Sequence, residues 1–536
     1  MIMKSEAKVI HHLGLINGIC EKIRLVETID ELIPVGEQAK LSIGTRVKAM
    51  VINALGFTGR PMHLAAEFYR TKPVGLLFGK DVNPDDINDD SLGRALDKVF
   101  ENGAESVFIK VSAKAVTIYD IKTNQCHVDT TSISVDGKYE DEQNTLIRFG
   151  HSKDLRRDLK QFIQSAFVTN DGGIPLIMKT LPGNASDKTH FTEFARELVN
   201  DKIVDQDEFV AVFDSAGYTK DTIVAMGNTH WVSRVPEVID LAKQMIHDSK
   251  DEVFCILDDD YSYYEKSSEY AGVKQRWFLF TSKHALERET KTIKRNVSRE
   301  KKELTTLIER FSKQLFACKD DALKAFLDLS RKIKYHKLSI CDFVEEKHFL
   351  KRGKPKEGDV FELKYKAQVN ITEDTDKINE LIDAGGKFIL ATNQLDKEKV
   401  DAKKVLKTYK DQQYAERGFR FIKNPISLIK SVYLKNHDRI IALSMIMFIT
   451  LLVYAIAERA LRKALVEHDE TVKSQSKKDV QNPTMRWIFQ KMEDIVVLEY
   501  IEDNQLILQF MNVTEEIKKI IRLLGSECMR MYGVST

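Results

Sequence analysis

Residues 125–135 read QCHVDTTSISV and residues 209–218 read FVAVFDSAGY, and these two stretches decide the fold. Both are rich in β-branched and aromatic residues, which predict strands. Because side chains alternate between the two faces of a strand, His127, Asp129 and Thr131 share one face of the first. Asp214 follows five largely apolar residues and ends the second strand. Each strand therefore presents one carboxylate, and the carboxyl ends of strands in α/β sheets border open crevices.

The segments around these strands extend the pattern into a mixed sheet covered by helices. Further β-branched runs predict strands, and an alternation of helix and strand follows them. The predicted strands are VFIKVS (107–112), AVTIYDI (115–121), FIQSAFVT (162–169), IPLIMKTL (174–181), HWVSRVP (230–236) and KFILATN (387–393). The predicted helices among them are THFTEFARELVNDKI (189–203) and TKDTIVAMG (219–227). The predicted fold class is therefore α/β.

The two ends of the chain are predicted to be helical. Near the amino terminus, apolar residues recur every three or four positions from Ile10 to Ile23, which is the period of one buried helical face. Further helices are predicted after Ser42 and after the cap-like DDS at 89–91. Residues 425–536 are predicted to be mainly helical, with a break at Pro483 and a final amphipathic helix at 514–533.

Residues 239–385 interrupt the alternation of strand and helix. They contain a long charged helix, HALERETKTIKRNVSREKKELTTLIERFSKQL (284–315), followed by two β-like runs. Two interpretations of this helix stay open. It is either a solvated arm whose opposite charges support one another along one face, or a surface that carries Lys and Arg to a nucleic-acid backbone.

Composition limits the class of protein. At 536 residues the chain exceeds what one hydrophobic core supports, so two to four domains are expected. The 82 Lys and Arg residues nearly equal the 81 Asp and Glu residues, so any basic surface must be local. Six cysteines form no C-x-x-C pair, which argues against a zinc site and a disulfide framework and fits a cytoplasmic protein.

One apolar stretch, IIALSMIMFITLLVYAIA (440–457), is 18 residues long and without charge. That length is just enough to span a bilayer. The flanking HDR and ERALRK segments continue a helical pattern without a break, so a buried core helix is predicted and no membrane is expected.

A third carboxylate, Glu416, lies in TYKDQQYAERGFRFIKNP (408–425), where a helix is predicted over about 400–424. At 100° per residue this helix has one polar face. That face contains Tyr409, Gln412, Gln413, Glu416, Arg420 and Lys423. Between 403 and 435, nine basic residues stand against two acids, a local net charge of +7. Basic residues with interleaved aromatic rings are typical of a DNA backbone contact. A solvated amphipathic helix is the alternative.

Separated carboxylates on converging elements are what phosphoryl transfer with two metal ions requires. Two hard cations ~3.5–4 Å apart activate the nucleophile and neutralise the leaving oxygen, and they prefer oxygen ligands. Asp129, Asp214 and Glu416 are therefore the candidate catalytic residues and metal ligands. Each has an ordinary alternative: a solvent-facing edge residue for Asp129, a helix N-cap for Asp214, and a solvated helix face for Glu416.

In this order the three acids resemble the DDE transposases of bacterial insertion sequences. Within that class the chain is similar to the group marked by a Tyr-x2-Arg-x3-Glu-x6-Lys signature around the catalytic Glu. Tyr409, Glu416 and Lys423 match the spacing, whereas Gln412 stands where the signature has Arg. The resemblance also covers GIPLIMKTLPGNASDKTHF, HWVSRVP, RWFLFTSKHALERETKT and, for a subgroup with a helical N-terminal domain, NDDSLGRALDKVF.

The resemblance implies an RNase H-like mixed sheet with flanking helices, a helical N-terminal domain, and an α+β insertion between the last core strand and the Glu helix. The expected domains are 1–104, a helical domain for DNA-end binding or plain packing; 105–238, the first part of the catalytic domain; 239–385, the insertion; 386–460, the second part of the catalytic domain; and 461–536, a helical C-terminal region.

The resemblance also implies a function, a cofactor and partners. Such an enzyme binds the terminal inverted repeats of its element, cleaves them and joins them to target DNA in cut-and-paste transposition. It uses Mg²⁺ or Mn²⁺, with two ions per active site, and works as a homodimer in a synaptic complex with double-stranded DNA. Two other interpretations stay open: a catalytically inactive or domesticated DNA-binding relative, and a stand-alone RNase H-like nuclease.

Six residues are the expected DNA contacts. They are Tyr409, Gln412, Arg417, Arg420, Lys423 and Lys153. The resemblance implies that Tyr409 and Lys423 contact phosphates beside the cleaved bond. Lys153 lies in RFGHSKDLRRDLK (148–160), where five Lys and Arg stand against two Asp, and it could hold a phosphate near Asp129. A solvated turn is the alternative for that segment.

Overall fold

The computed structural model describes residues 5–34, 36, 39–57, 62–137, 139, 146–154, 156–200, 208–331, 333–350, 360–423, 436–502 and 505–535. The chain divides into two compact units. The first unit comprises Met1–Arg234, Glu269–Gln275 and Thr392–Thr536, and the second comprises Val235–Ser268 and Arg276–Ala391. The second unit begins and ends near the limits expected for the insertion, 239 and 385. The assignment of the five domains stays a prediction.

The amino-terminal region is helical, as predicted, after one short strand. Its elements are β1 (Ser5–Val9), α1 (Leu13–Lys22), α2 (Leu25–Leu32), α3 (Ile43–Leu55), α4 (Ala65–Arg70), α5 (Val74–Phe78), α6 (Asp89–Glu101) and α7 (Ala104–Tyr119). Ser42 caps α3, and its side chain accepts a hydrogen bond from the backbone N–H of Thr45. The strands predicted at 107–112 and 115–121 are wrong, because residues 107–119 belong to α7 and Asp120 caps its end. Val107, Val111 and Ala115 are buried at four-residue spacing, a helical period that their β-branched neighbours obscure.

A mixed sheet follows and confirms the α/β class. The elements are β2 (Gln125–Val135), β3 (Lys160–Thr169), β4 (Pro175–Pro182), α8 (Asp187–Asn200), β5 (Val210–Phe213), α9 (Lys220–Ala225) and β6 (His230–Arg234). Within the first unit the strand order is β4-β3-β2-β5-β6. The pairs β2–β3 and β3–β4 are antiparallel, whereas β2–β5 and β5–β6 are parallel. The strand predicted around Asp129 is confirmed.

The segment from 235 to 392 adds strands and the predicted long helix. Its elements are α10 (Asp240–Asp248), β7 (Cys255–Ile256), β8 (Tyr261–Tyr270), β9 (Val273–Ser282), α11 (Lys283–Phe311), α12 (Lys319–Ser330), β10 (His336–Phe349), β11 (Phe361–Glu373), α13 (Thr375–Ala384) and β12 (Lys387–Thr392). The strands here lie in the order β12-β9-β8-β7, and β10 and β11 form a separate antiparallel pair.

The carboxyl-terminal region contains both helices and strands. Its elements are α14 (Ala402–Lys410), α15 (Gln413–Ile422), α16 (His437–Glu467), β13 (Val472–Lys473), β14 (Asp479–Val480), α17 (Met485–Lys491), β15 (Val496–Glu502), β16 (Gln505–Met511), α18 (Glu515–Leu524) and α19 (Ser526–Met531).

Three predictions for this region need correction. The single helix expected over 400–424 is broken at residues 411–412, between α14 and α15. The helical region expected at 461–536 contains a hairpin, β15 and β16, which pairs with β1 in the antiparallel order β1-β15-β16. The final helix is divided at Gly525, whose φ of 110° is accessible to glycine and costly for other residues.

Helix α16 is the core of the first unit. Among the described residues it is the one helix long and apolar enough to cross a membrane, but 89% of its most apolar stretch is buried inside the protein. It packs against α1, α3, α6, α7, α18 and β4. One hydrophobic cluster therefore runs from Ile10 through α16 to Tyr532. This burial supports the predicted core helix.

Candidate active site

Asp129 and Asp214 occupy matching positions on neighbouring parallel strands. The parallel pairing of β2 with β5 ends at Val128 opposite Phe213; Asp129 is the next residue of β2, and Asp214 directly follows β5. Parallel strands lie about 4.8 Å apart. The register of the sheet therefore brings the two predicted carboxylates side by side at one edge.

The carboxyl group of Asp129 is largely buried, with 15% of its side chain exposed. The pKa of Asp129 is raised to about 6, chiefly by burial, and the charges of Asp214 and Glu416 contribute to the rise. Two contacts act in the opposite direction: the Lys153 ammonium lies 3.9 Å from Oδ1, and the backbone N–H of Thr130 donates to Oδ1 at 2.7 Å. The upward shift therefore reflects mainly the cost of holding a charged carboxylate away from water.

Asp214 shapes the turn that follows β5. Its Oδ1 accepts a hydrogen bond from the backbone N–H of Ala216 at 2.9 Å. Helix α9 starts only at Lys220, and Thr219 caps it by accepting from the N–H of Thr222. The alternative role of Asp214 as a helix N-cap is therefore wrong. The second oxygen of the carboxylate has no described hydrogen bond that would compete with a ligand.

Glu416 lies in the first turn of α15, on the face turned away from the core. Ala415, Phe419 and Ile422 are buried, and α15 packs against β2, β3 and α16. A Cβ atom on Gly418 would lie 3.1 Å from Leu451, so the helix approaches α16 closely. The exposed side of α15 therefore faces a cleft of about 550 Å³. The cleft is lined by Asp129, Thr130, Thr131, Lys153, Glu416, Phe419, Arg420 and Lys423.

The cleft brings three of the predicted DNA contacts together with two of the acids. Lys153 is held by Thr130, whose carbonyl oxygen and Oγ1 accept from Nζ at 2.7 and 2.6 Å. Lys423 donates to both carboxylate oxygens of Asp154, at 2.8 and 2.9 Å. Arg420 is exposed at the same wall. Both walls of the cleft therefore carry cations.

The other three predicted contacts are not among the residues that line the cleft. Tyr409 lies in the last turn of α14, where burial raises its pKa to about 12; nearby Arg234 opposes this shift and the three acids add to it. Gln412 lies in the break between the helices and is 8% exposed, so it presents little surface to DNA. Arg417 is exposed and donates to the Gln413 side chain at 2.9 Å. The helix break therefore separates residues that the predicted continuous helix had placed on one face.

Arg234 is a site residue that sequence reasoning missed. It ends β6, the strand beside β5, and its charge acts on Tyr409. The preceding residue, Ser233, donates to the carbonyl oxygen of Asp214 at 3.2 Å. The motif HWVSRVP carried the signal, since a cation at the end of a strand neighbouring Asp214 must lie at the same edge of the sheet.

The oxygen ligands suit a hard divalent cation, but the carboxylates do not form a closed cage. Within the described part of the chain, no three His, Cys, Asp or Glu side chains are grouped tightly enough to hold a metal ion. The assignment of Asp129, Asp214 and Glu416 as ligands stays a prediction. Residues 424–435, which complete the basic segment 403–435, lie outside the described residues.

Comparisons with known proteins give little beyond this geometry. Residues 5–113 match a family model described as a domain of unknown function (DUF4277). No curated protein matches the chain. Among solved structures, the chain is similar to one described as a piggyBac transposase synaptic complex with hairpin DNA, determined by cryo-EM. The similarity is 9% in sequence identity, covers 91% of this chain and 82% of the other, and has a TM-score of 0.37. At that level of likeness, function has to be argued from the site itself.

Proposed function

We propose that this chain is a DNA transposase of the DDE class, with an RNase H-like catalytic domain, as in bacterial insertion sequences. Three antiparallel strands, β4, β3 and β2, followed by the parallel strands β5 and β6, agree with such a domain. The proposed catalytic acids belong to β2, the end of β5, and α15, which packs on β2. The proposal includes cut-and-paste transposition, terminal inverted repeats and target DNA as substrates, and a homodimer in the synaptic complex.

The observation that carries the proposal is the placement of the three acids: the parallel register of β2 and β5 sets Asp129 beside Asp214, and α15, which carries Glu416, packs on β2. Asp214 and Glu416 both raise the pKa of Asp129, although 202 positions separate them in the chain. A largely buried carboxyl group beside two others is costly for the fold unless a cation joins it. Chains retain such clusters where the chemistry requires them.

Asp129, Asp214 and Glu416 would supply the ligands for Mg²⁺ or Mn²⁺. Two such ions would activate the attacking oxygen and neutralise the leaving oxygen of a phosphodiester. The side chains must close on the ions, because they are not within coordinating reach of one another in the described structure. Lys153, which Thr130 holds in place, and the exposed Arg420 would neutralise phosphates that enter the cleft. Tyr409, kept protonated by its raised pKa, would act as a hydrogen-bond donor beside the acids.

The test is strand cleavage by purified protein of duplex DNA carrying the flanking ends of its own element. Mg²⁺ and Mn²⁺ should support cleavage and joining, whereas Ca²⁺, which accepts looser coordination, should not. Asp129→Ala, Asp214→Ala and Glu416→Ala should each abolish cleavage and leave the unfolding midpoint nearly unchanged. Asp136→Ala, at an exposed acid just beyond β2, is the matched control and should keep activity.

Three results would change the proposal. Cleavage by any one of the three variants would remove that residue from the site. Cleavage without joining would indicate a stand-alone nuclease, and binding of the ends without cleavage would indicate an inactive relative.

A further inference from the structure

Helix α11, in the second unit, carries five exposed cations on one face. At 100° per residue they fall within an arc of about 80°. These residues, called here the cationic stripe, are Arg288, Lys291, Arg295, Arg299 and Lys302, and all five are exposed. Successive members are three or four residues apart, so the stripe follows the helix axis for about 21 Å. If the helix were an arm of balanced charges, acidic and basic side chains would alternate along this line. The stripe contains only basic side chains.

The opposite face of α11 holds the helix to its own unit. Val297, Leu304 and Phe311 are buried at seven-residue spacing, about 180° from the stripe. Phe311 belongs to a hydrophobic cluster with Phe316 and Phe326. The helix is therefore fixed through one side, and the cationic stripe is directed to solvent.

Two acids of α11 are used in structural hydrogen bonds away from the stripe. Glu300 accepts from the backbone N–H groups of Lys334 and Tyr335 at 2.9 and 2.7 Å. Glu289 accepts from the N–H of Gly386 at 2.9 Å. Glu309 falls on the same line but lies two turns beyond Lys302, so the cationic stripe ends before this acid. Glu289 and Glu300 are therefore engaged elsewhere and do not neutralise the stripe.

The members of the stripe repel one another and have little compensation. In the described portion of the chain, no carboxylate forms an ion pair with Arg288, Lys291, Arg295 or Lys302. Arg299 lies 4.0 Å from Glu303, but both side chains are about 70% exposed, and such a pair is weak. Like charges three and four residues apart on a helix are destabilising. An external polyanion would relieve this repulsion.

We infer that the cationic stripe of α11 binds the sugar-phosphate backbone of double-stranded DNA. DNA carries a phosphate about every 3.4 Å along each strand, so a straight row of cations can face several phosphates at once. Flexible Lys and Arg side chains adapt to that spacing without reading bases. The identity of the polyanion rests on the proposed function, and the geometry supplies a contact surface distinct from the catalytic cleft residues.

The test compares the full chain with two triple variants of equal charge. The stripe variant combines Arg288→Gln, Arg295→Gln and Lys302→Gln. The control variant combines Lys283→Gln, Lys294→Gln and Lys301→Gln, three exposed cations on a flank about 100° from the stripe. Binding to a 40-base-pair duplex of mixed sequence is measured at several KCl concentrations, and thermal unfolding verifies that both variants are folded.

The slope of log affinity against log salt should fall by about 2.7 in the stripe variant, from three contacts at about 0.9 each. The control should keep at least most of the wild-type slope. Equal slopes in the two variants would overturn the inference and leave the proposed function standing. A wild-type chain that binds no DNA would overturn both. If the stripe variant loses binding to vesicles that contain phosphatidylserine but keeps its binding to DNA, the inference is overturned in favour of an anionic membrane.

Discussion

At the scale of single residues, Asp129 and Lys423 show how the protein's own side chains set the charge of the cleft. Asp129 is held mostly out of water beside two other carboxylates, which raises its pKa to about 6. Lys423 meets the opposite condition, because Asp154 already neutralises it. A bound cation would offset the cost of ionising Asp129, whereas a DNA phosphate would have to compete with Asp154 for Lys423.

Asp129→Asn should stabilise the protein above pH 6. A carboxyl group whose pKa is higher in the folded state than in the unfolded state, here about 6 against 3.8, lowers stability increasingly as the pH rises from about 4 to 6, because the unfolded chain releases the proton first. This difference in pKa corresponds to about 3 kcal/mol in the free energy of unfolding. Urea unfolding should show that gain at pH 8, and the gain should vanish as the pH falls through 6 to below 4. An equal gain at pH 8 and pH 3.5 would contradict the assigned cause.

Asp154→Asn should strengthen DNA binding. The substitution removes the carboxylate that occupies Lys423, with Nζ–O distances of 2.8 and 2.9 Å, and frees the ammonium for a phosphate. The salt slope should steepen by about 0.9, and adding Lys423→Ala to Asp154→Asn should abolish that increase. Asp136→Asn, which removes the same charge away from Lys423, is the control. If both Asn variants bind equally tightly, only net charge is involved.

At the scale of elements, the loop that carries Lys153 is fixed by backbone pairing. Arg148 and Gln161 exchange N–H···O bonds of 3.0 and 2.8 Å, and the N–H of Gly183 donates to the carbonyl of Leu146 at 2.9 Å. A Cβ atom on Gly183 would collide with the carbonyl oxygen of Gln161, and one on Gly150 with that of Gly183. Glycine is required at both positions by close backbone approach.

Gly183→Ala should therefore destabilise the protein by about 1–3 kcal/mol, the usual cost of overpacking. It should also weaken DNA binding, because the loop that holds Lys153 at the cleft must shift. Denaturant unfolding and DNA titration measure the two effects. Gly36→Ala, at a position with open space around it, is the control and should change neither. If Gly183→Ala has the wild-type free energy of unfolding, the loop accommodates the added methyl group without loss of stability, and the prediction is wrong.

Sequence patterns predicted elements well where one physical signal dominated. The strands around Asp129 and Asp214 were identified because β-branched runs and polar turns agreed. Helix α7 was misassigned, because its β-branched residues favour strands while its burial follows a helical period. The break at residues 411–412 contains neither Gly nor Pro; α14 packs on β5 and β6, whereas α15 packs on α16, and this tertiary packing divides the helix. Local sequence could not show that difference.

At the scale of the whole molecule, the chain ends meet in one core. Strand β1 pairs with β15, α1 packs on α19, and the Tyr532 hydroxyl donates to the carbonyl of His11 at 2.6 Å. Residues 5–113, the segment matched by the family model, therefore share their core with residues more than 300 positions away. Periodicity predicted the helices of both ends but had no means of predicting their pairing, which depends on contacts between distant segments.

Tyr532→Ala should loosen the amino-terminal helices. Tyr532 is 2% exposed, and its ring meets the position of Gly14 on α1, so its removal leaves a cavity there. We expect a loss of about 3–5 kcal/mol in the free energy of unfolding, the range for a large buried ring. Amide hydrogen exchange should accelerate in α1 as well as in α19. Tyr532→Phe, which removes only the hydroxyl, should cost about 1 kcal/mol. Faster exchange confined to α19 would contradict a shared core.

The shared core of the two terminal regions also determines when, during translation, the amino-terminal helices can be covered. Roughly 320 residues separate the end of α7 from the start of α16, and at ~5–20 residues per second a ribosome needs on the order of 16–64 s to make them. For that interval the apolar faces of α1, α3 and α7 have been translated but lack α16, which packs on all three in the finished protein. The nascent amino-terminal helices are thus exposed to chaperones and proteases while the segment between α7 and α16 is made.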